Sequence, residues 1–324
     1  MTQRYVIFAY KTNFINTIYF FYIMKPKYLF KEKDHIYIGS KGKAISTSAF
    51  IKNYEEDFDS DMIAKRMVFK DLYPKIWADA MKASQSNPYK AIQLVEPQIT
   101  EEDWIGEYKF LIDKWALAGK VSSEEGTAQH KLYELKDIEL GYKINPYTKR
   151  TYKLIPNNLI PPGYDNCSMA DNLYDLEDGY YPEALIFNED LNVCGLSDML
   201  FIETIGDKRY IDIDDYKFVK EILKTPKFFD RILKKYPSMK EPISHIYQTN
   251  FYSYNMKISM YAWMLEQFGF IVRHLGLRHM VKLYNGEIYE VPYPMEYKKL
   301  EIELIIKDYK EKLRNLKKRK LTDL

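Results

Sequence analysis

Four ionisable residues in the second half of the chain have the types and spacing of a metal-dependent hydrolytic site. Asp215 and Lys217 lie two positions apart in the run IDIDDYK, and residues two apart in a β-strand project from the same face. Asp198 ends the preceding run VCGLSD, and Glu183 comes before both. Two carboxylates on neighbouring strands suit Mg²⁺, which takes carboxylate oxygens and retains waters and substrate phosphate oxygens. These residues therefore indicate metal-assisted hydrolysis, with Lys217 orienting the attacking water or stabilising developing charge.

The Asp-x-Lys spacing alone is a weak signal, because Asp is frequent in the solvated turns that end strands. The same run contains two further acids, Asp212 and Asp214. Strand alternation places both on the face opposite Asp215, so we interpret them as structural. Upstream, His130 has Glu134 one helical turn later. It is therefore either a helix-face histidine satisfied by Glu134 or a metal ligand, a role that neutral imidazole commonly takes.

The acids are predicted to lie on an antiparallel meander. Its three strands are separated by turns at residues 188–192 and at Gly206-Asp207, and they span residues 182–190, 193–203 and 208–215. A short strand is predicted earlier, at residues 35–39. Two more are predicted on either side of an Asn285-Gly286 turn, at residues 271–283 and 287–291.

Helical patterns come before, between and after these strands. Pro74 is a predicted break inside the first of them, and the Glu101 helix opens with three acids in its first turn. The predicted helices span residues 61–82, 101–118, 126–140, 218–236, 250–268 and 295–319. The predicted fold class is therefore α/β, with a small mixed β-sheet flanked by helices.

One domain is predicted behind an N-terminal extension or arm at residues 1–34. The apolar run at residues 14–24 is far shorter than the roughly 20 residues that span a bilayer, and no small-residue cleavage site follows it. The domain, residues 35–324, is predicted to have a helical part at about 44–140 and a C-terminal helix at about 295–319. Residues 141–180 are rich in Pro, Asn, Asp and Gly, and predict a loop-rich insertion.

Composition excludes some classes of site and leaves others open. The 324 residues include 48 basic and 46 acidic side chains, and a net charge of +2 neither supports nor excludes a nucleic-acid partner. Only two cysteines are present, Cys167 and Cys194, and they form no CxxC pair. A four-cysteine iron–sulfur cluster or a zinc ribbon from this chain alone is therefore excluded.

The ordered combination of these motifs resembles the RecB-type and phage-type nucleases of the PD-(D/E)XK superfamily. The resemblance covers residues 40 to 305 approximately. In chain order, its elements are a G-T-x-x-H motif at Gly126–His130, a glutamate at Glu183, a G-x-x-D motif at Gly195–Asp198, a D-x-K motif at Asp215–Lys217 and a helix bearing a tyrosine at Lys257–Tyr261.

This resemblance implies a restriction-endonuclease-like core and a role for each site residue. Asp198 and Asp215 would be metal ligands, His130 an additional ligand, and Lys217 the catalytic lysine. Glu183 would hold a coordinated water or a second ion. The implied cofactor is Mg²⁺, with Mn²⁺ as a substitute. No iron–sulfur cluster is implied, because the four cysteines of that subgroup are missing.

Basic residues after the site predict contacts with DNA. Lys257 stands where the family has Gln, and one helix face carries it together with Tyr261. Phe218 replaces the Thr or Ser that commonly follows the lysine. Lys220 and Lys224 begin a basic run that continues through Lys227, Arg231, Lys234 and Lys235 beside Phe228 and Phe229, a pattern typical of phosphate tracking with base stacking. The terminal run at residues 310–320 is either a second such patch or a solvated helix face.

The sequence predicts a metal-dependent DNA nuclease, most simply a phage-type exonuclease of replication, recombination or repair. An endonuclease of the same fold is the first alternative. A catalytically inactive DNA-binding or assembly protein and a small-substrate phosphoesterase are the others. The expected partners are DNA and a single-strand annealing or replication protein. The expected location is the cytoplasm, or the host cytoplasm if a phage encodes the chain, with no membrane partner.

Overall fold

The computed structural model describes residues 26–227 and 236–322, and these contain a nine-stranded mixed sheet and a separate two-stranded hairpin. In chain order the strands are β1 (Leu29–Lys31), β2 (Ile36–Gly39), β3 (Gly42–Ser46), β4 (Tyr142–Ile144), β5 (Thr151–Lys153), β6 (Asn166–Cys167), β7 (Gly179–Asn188), β8 (Val193–Ile205), β9 (Lys208–Lys217), β10 (Ile271–Lys282) and β11 (Ile288–Met295). Strands β4 and β5 form the separate hairpin. The sheet is therefore larger than the small one that was predicted.

Helices cover the sheet and form a second cluster beside it. They are α1 (Thr47–Lys52), α2 (Ser60–Leu72), α3 (Pro74–Ala83), α4 (Pro88–Val95), α5 (Glu101–Leu140), α6 (Asn250–Glu266) and α7 (Lys299–Thr322). The predicted break at Pro74 is confirmed, because α2 ends at Leu72 and Pro74 begins α3. Among the described residues, no helix is both long enough and apolar enough to cross a membrane.

Strand β8 is the centre of the sheet. One of its edges pairs with β7 along residues 193–202. Its other edge is shared by two strands: β3 pairs with its beginning in parallel, at Ile45–Val193 and Ser46–Cys194, and β9 pairs antiparallel with its end, from Met199 onward. Residues 195–198 therefore lie in a gap between two partner strands, and Asp198 is in that gap.

The main core lies between the meander and α6. Alternate residues of β9, Ile211 and Ile213, are fully buried in this core, and α6 contributes the fully buried Met256 and Ile258. Each such side chain removed from water contributes about 1.5–3 kcal/mol. Because Asp215 follows Ile211 and Ile213 in the same alternation, it too lies on the α6 face of the sheet. The antiparallel meander β7–β8–β9 is confirmed.

Two predicted helices are wrong in extent. The segments 101–118 and 126–140 form a single helix, α5, of 40 residues. The intervening residues contain no Pro, and Gly119 and Gly126 have open space around them, so the helix runs through them at a cost of about 1 kcal/mol for each glycine.

The predicted helix at 218–236 is not helical over 218–227, and residues 228–235 lie outside the described residues. Pro226 restricts the residue before it to extended backbone. The Asn250 side chain also accepts from the Leu223 amide at 2.9 Å and donates to the Glu221 carbonyl at 2.8 Å. These two bonds satisfy the backbone outside a helix. Of the predicted basic run, the structure describes Lys220, Lys224 and Lys227. Its other members, Arg231, Lys234 and Lys235, and the neighbouring Phe228 and Phe229 lie outside the described residues.

The boundaries of the predicted regions also shift. Residues 29–31, placed in the N-terminal extension by the prediction, form β1 and pair with β2, while residues 1–25 lie outside the described residues. The insertion at 141–180 contains the β4–β5 hairpin and β6. Strand β6 joins the main sheet beside β1, with Leu29 opposite Cys167. The insertion is therefore part of the sheet in addition to being rich in loops.

Candidate functional site

Three side chains from three different elements meet beside the gap in β8. His130 comes from α5, Glu183 from β7 and Asp198 from β8. One potential ligand atom of each lies within 4.8 Å of the others. An imidazole nitrogen and two carboxylate oxygens fit a divalent cation, although this donor set does not select Mg²⁺ over Mn²⁺.

His130 is turned into the site. Its Nδ1 lies 3.2 Å from Asp198 Oδ2, and its ring contacts that of Phe218 edge-on at 5.2 Å between centroids. Glu134 instead accepts from the Lys131 ammonium at 2.7 Å. The interpretation that Glu134 satisfies this histidine is therefore wrong.

The Asp198 carboxylate is held by a backbone amide of the neighbouring strand β9. Its side chain is 8% exposed, and Oδ2 accepts a hydrogen bond from the Tyr216 amide at 2.6 Å. The β8–β9 ladder ends at the Met199–Asp214 pair, two residues before Tyr216. The Asp198 side chain therefore takes the place of a backbone acceptor for the Tyr216 amide.

Glu183 has the most unusual environment of the three. Its φ is +48°, a left-handed conformation that residues other than Gly, Asn and Asp seldom adopt. Burial raises the pKa of its carboxyl group to about 8, and the nearby carboxylates of Asp198 and Glu134 add to the effect. Without a cation, Glu183 therefore holds its proton at neutral pH.

Asp215 lies beside this cluster, against two ammonium groups. Lys217 Nζ contacts its Oδ2, and Lys257 Nζ lies 3.1 Å from its Oδ1. Burial alone would raise the pKa of Asp215, but these two cations outweigh it and hold the pKa well below its usual range. Of the three predicted metal ligands, His130 and Asp198 thus lie in contact with each other. The third, Asp215, instead contacts the ammonium groups of Lys217 and Lys257.

The residues predicted to contact DNA have different surroundings. Tyr261 is 2% exposed and donates from its hydroxyl to the Leu196 carbonyl at 2.7 Å, so it forms the floor of the site. The Lys257 side chain lies inside the site, where its ammonium group contacts Asp215. Lys220 is exposed, and the exposed Lys224 places its ammonium 5.0 Å from the centre of the Phe251 ring.

The missing side chain of Gly195 allows Tyr261, the floor of the site, to approach β8 closely. A Cβ at this position would lie 2.7 Å from the Tyr261 hydroxyl and 2.9 Å from Thr47 Oγ1. Thr47 itself donates to the Cys194 carbonyl at 3.2 Å. Only glycine therefore lets α6 and α1 approach the gap in β8 from the same side.

The three grouped residues and the two lysines line a cavity of about 530 Å³. The prediction missed several other lining residues, which come from the β1–β2 hairpin, from the insertion and from α5; they include Phe30, His35, Tyr37, Ser123, Asp165 and Asn166. A second cavity, between α5 and residues 217–219, shares Ser123, Thr127, His130 and Lys217 with the first. No sequence pattern identifies these residues, because they lie in short strands and loops far apart in the chain.

The other two acids of β9 lie on the opposite face, as strand alternation predicts. Asp212 accepts from Arg273 Nη2 at 2.6 Å, and Asp214 accepts from Arg278 Nη2 at 2.9 Å and from the Tyr147 hydroxyl at 2.7 Å. Both are fully buried. Their partners saturate them, so they are structural.

The arrangement limits the chemistry available at this site. A nitrogen and oxygen donor set for a divalent cation lies beside two lysines, and ammonium groups bind phosphate oxygens as point charges. The described part of the chain therefore places three residues that could hold a divalent cation beside two lysines that contact Asp215. No protein-family model, no curated protein and no solved structure matches the chain.

Proposed function

We propose that this protein is a divalent-metal-dependent nuclease that hydrolyses the phosphodiester bonds of DNA. The observation that carries the proposal is the grouping of His130, Glu183 and Asp198 within 4.8 Å beside Lys217 and Lys257. The mixed α/β architecture and the order of Glu183, Asp198 and Lys217 along the meander are compatible with a restriction-endonuclease-like core, which belongs to the same proposal.

The three grouped residues would hold the cation. When bound, the cation supplies a nucleophile at neutral pH and neutralises charge on the phosphoryl group. His130 and Asp198 are already in contact, and Glu183 must release its proton to become a ligand. Asp215, the further ligand that the family resemblance implies, holds the two lysines.

Lys217 and Lys257 provide the positive charge for the scissile phosphate. Both ammonium groups are fixed by Asp215, so their positions are set before substrate binds. Preorganised charge of this kind stabilises the transition state without reorganisation during the reaction. Asp215 thereby orients both groups whether or not it also contacts the cation.

A polymeric substrate is favoured over a small phosphate ester. A second cavity lies next to the first, between α5 and residues 217–219, and the chain that follows it carries the exposed Lys220 and Lys224. At these positions the two lysines would neutralise phosphates of a nucleic-acid backbone that continues beyond the site. Among nucleases we propose an exonuclease, with an endonuclease of the same chemistry as the alternative.

The test uses three substrates, end-labelled linear DNA, closed circular DNA and a small phosphate ester, each with Mg²⁺, Mn²⁺ or EDTA. We expect metal-dependent loss of linear DNA by the wild type, and none by Asp198→Asn or Lys217→Ala. Asp207→Asn and Lys208→Ala make the same chemical changes at exposed positions and should cut normally.

The other outcomes identify the alternatives. Cutting of the circle indicates an endonuclease. Binding of DNA without cutting under any metal condition contradicts the proposal and favours a DNA-binding protein. Hydrolysis of a small phosphate ester alone favours a phosphoesterase, and cutting that survives both substitutions means that the site lies elsewhere.

A further inference from the structure

Glu183 adopts its left-handed backbone inside a strand, where extended conformations are the rule. Non-glycine residues remain in such conformations only where the surrounding structure enforces them, and they cluster at functional sites. The neighbouring pairs of the β7–β8 ladder are Pro182–Met199 and Ala184–Ser197. Glu183 and Asp198 therefore face each other at a local break in the ladder.

The carbonyl of Glu183 has a side-chain partner at this break. Asn166 Nδ2 donates to the Glu183 oxygen at 2.8 Å. Buried backbone carbonyls need a hydrogen-bond donor, and here a residue from the insertion supplies it. The bond holds the peptide plane that follows Glu183, and that plane helps to set the direction of the Glu183 side chain.

Asn166 is itself fixed in orientation. Its Oδ1 accepts from Asn157 Nδ2 at 2.8 Å and from the Cys167 amide at 2.7 Å, so the amide group cannot be reversed without losing both bonds. The residue is 8% exposed and lies opposite Phe30 in the β1–β6 pair.

We propose that Asn166 is a positioning residue that keeps Glu183 in its left-handed conformation, so that the Glu183 carboxylate completes a three-residue site for a divalent cation with His130 and Asp198. The inference rests on the metal site of the proposed function and not on DNA being the substrate. It gives the insertion a role in metal binding.

The test is a calorimetric titration of the full-length protein with Mn²⁺. Substitutions of residues that orient metal ligands typically weaken affinity about 10–100-fold, and we expect a loss in that range for Asn166→Ala. The matched control is Asn172→Ala, an exposed asparagine in the same insertion with no contact to Glu183. Its affinity should equal that of the wild type.

A double-mutant cycle separates positioning from general damage. In a Glu183→Gln background the carboxylate ligand is already gone, so adding Asn166→Ala should weaken Mn²⁺ binding little further. If Asn166→Ala does not fold, Asn157→Ala replaces it, since it removes one of the two bonds that orient Asn166 and should give a smaller loss in the same direction.

Each outcome supports or overturns the inference. Unchanged affinity in Asn166→Ala overturns it, as does an equal loss in the Glu183→Gln background. A wild type that binds no Mn²⁺ overturns it too. A wild type that binds Mn²⁺ and shows the expected Asn166 effect, yet cuts no DNA, supports the inference while contradicting the proposed function.

Discussion

At the scale of single residues, two neighbouring carboxyl groups of one cavity have opposite protonation behaviour. Desolvation of the half-buried Glu183, reinforced by its acidic neighbours, raises the pKa of its carboxyl group to about 8. Asp215 is fully buried, but Lys217 and Lys257 hold its pKa well below the usual range. Divergent pKa values within one site usually mark different roles. Here one carboxyl group has acidic neighbours and the other has two ammonium partners.

The raised pKa of Glu183 predicts how the metal-free protein responds to pH. Between the ordinary value of 4.5 and about 8, the folded state holds a proton that the unfolded chain has released. Stability therefore falls as pH rises through this window. Urea unfolding in EDTA at several pH values should show this slope, and Glu183→Gln should flatten it. Equal slopes in the two proteins would contradict the assignment.

The contacts of Asp215 predict a separation between metal binding and catalysis. Asp215→Asn leaves the His130, Glu183 and Asp198 cluster intact but releases both lysines. We expect cleavage to fall by at least about 10²-fold, the effect of losing a preorganised group, with a smaller loss of Mn²⁺ affinity than in Asp198→Asn. Calorimetry with Mn²⁺ beside a cleavage assay measures both. An equal loss of affinity would show that Asp215 is a direct ligand, as the family resemblance implies.

At the scale of elements, α5 carries His130 and needs an anchor, since most of its 40 residues are exposed. The anchor is Asp137, two turns after His130 and 3% exposed. Asp137 accepts from the Tyr180 hydroxyl at 2.7 Å and from the Lys143 ammonium at 2.6 Å. Lys143 also donates to the Tyr216 hydroxyl at 2.8 Å, which ties α5 to both β7 and β9.

We therefore expect Asp137→Ala to destabilise the protein by about 2–3 kcal/mol, because it leaves a buried hydroxyl and a partly buried ammonium without their acceptor. Asp113→Ala, at an exposed position of the same helix, is the control and should change stability by less than about 0.5 kcal/mol. Urea unfolding at neutral pH measures the difference. Equal stability of the two variants would show that α5 is anchored elsewhere.

The elements also show what the sequence could predict. The meander was predictable because its strands alternate and its turns contain Gly and Asn. The site residues on it, Asp198, Asp215 and Lys217, followed from that register. Pro226 was a visible signal against a continuous helix at 218–236, but the non-helical course of the preceding residues was not predictable, since it depends on Asn250 from another element. The role of Asn166 was equally hidden, because a loop-rich composition does not show which strand edge a two-residue strand will join.

At the scale of the whole molecule, the sheet separates two sets of charges. On one face the buried Asp215 holds Lys217 and Lys257, which line the cavity. On the opposite face Asp212 and Asp214 are buried against arginines. The predicted DNA contacts, Lys220 and Lys224, lie on the surface beyond the cavity opening. A near-neutral net charge of +2 is thus compatible with a local positive surface.

This distribution predicts the salt dependence of DNA binding. Each phosphate contact contributes about 0.9 to the slope of log affinity against log salt for duplex DNA, so Lys220→Ala with Lys224→Ala should reduce the slope by about 2. Binding is measured in EDTA to prevent cutting. Lys153→Ala, at an exposed position on the β4–β5 hairpin, should leave the slope unchanged. An unchanged slope in the double variant would exclude both lysines from the DNA path.

The shared edge of β8 has a consequence for folding during synthesis. The ribosome completes the partner strand β3 long before it completes β8. The separation is shown by Thr47, directly after β3, whose hydroxyl donates a hydrogen bond to the carbonyl of Cys194, 147 positions later. The helices α2 to α5 make mainly local contacts and can form before β8 is synthesised. During this time the edge of β3 that later pairs with β8 stays unpaired. Long-range pairing of this kind is slow and exposes chains to aggregation. We therefore expect slowing of translation within residues 141–193 to lower the yield of folded protein more than slowing after residue 217.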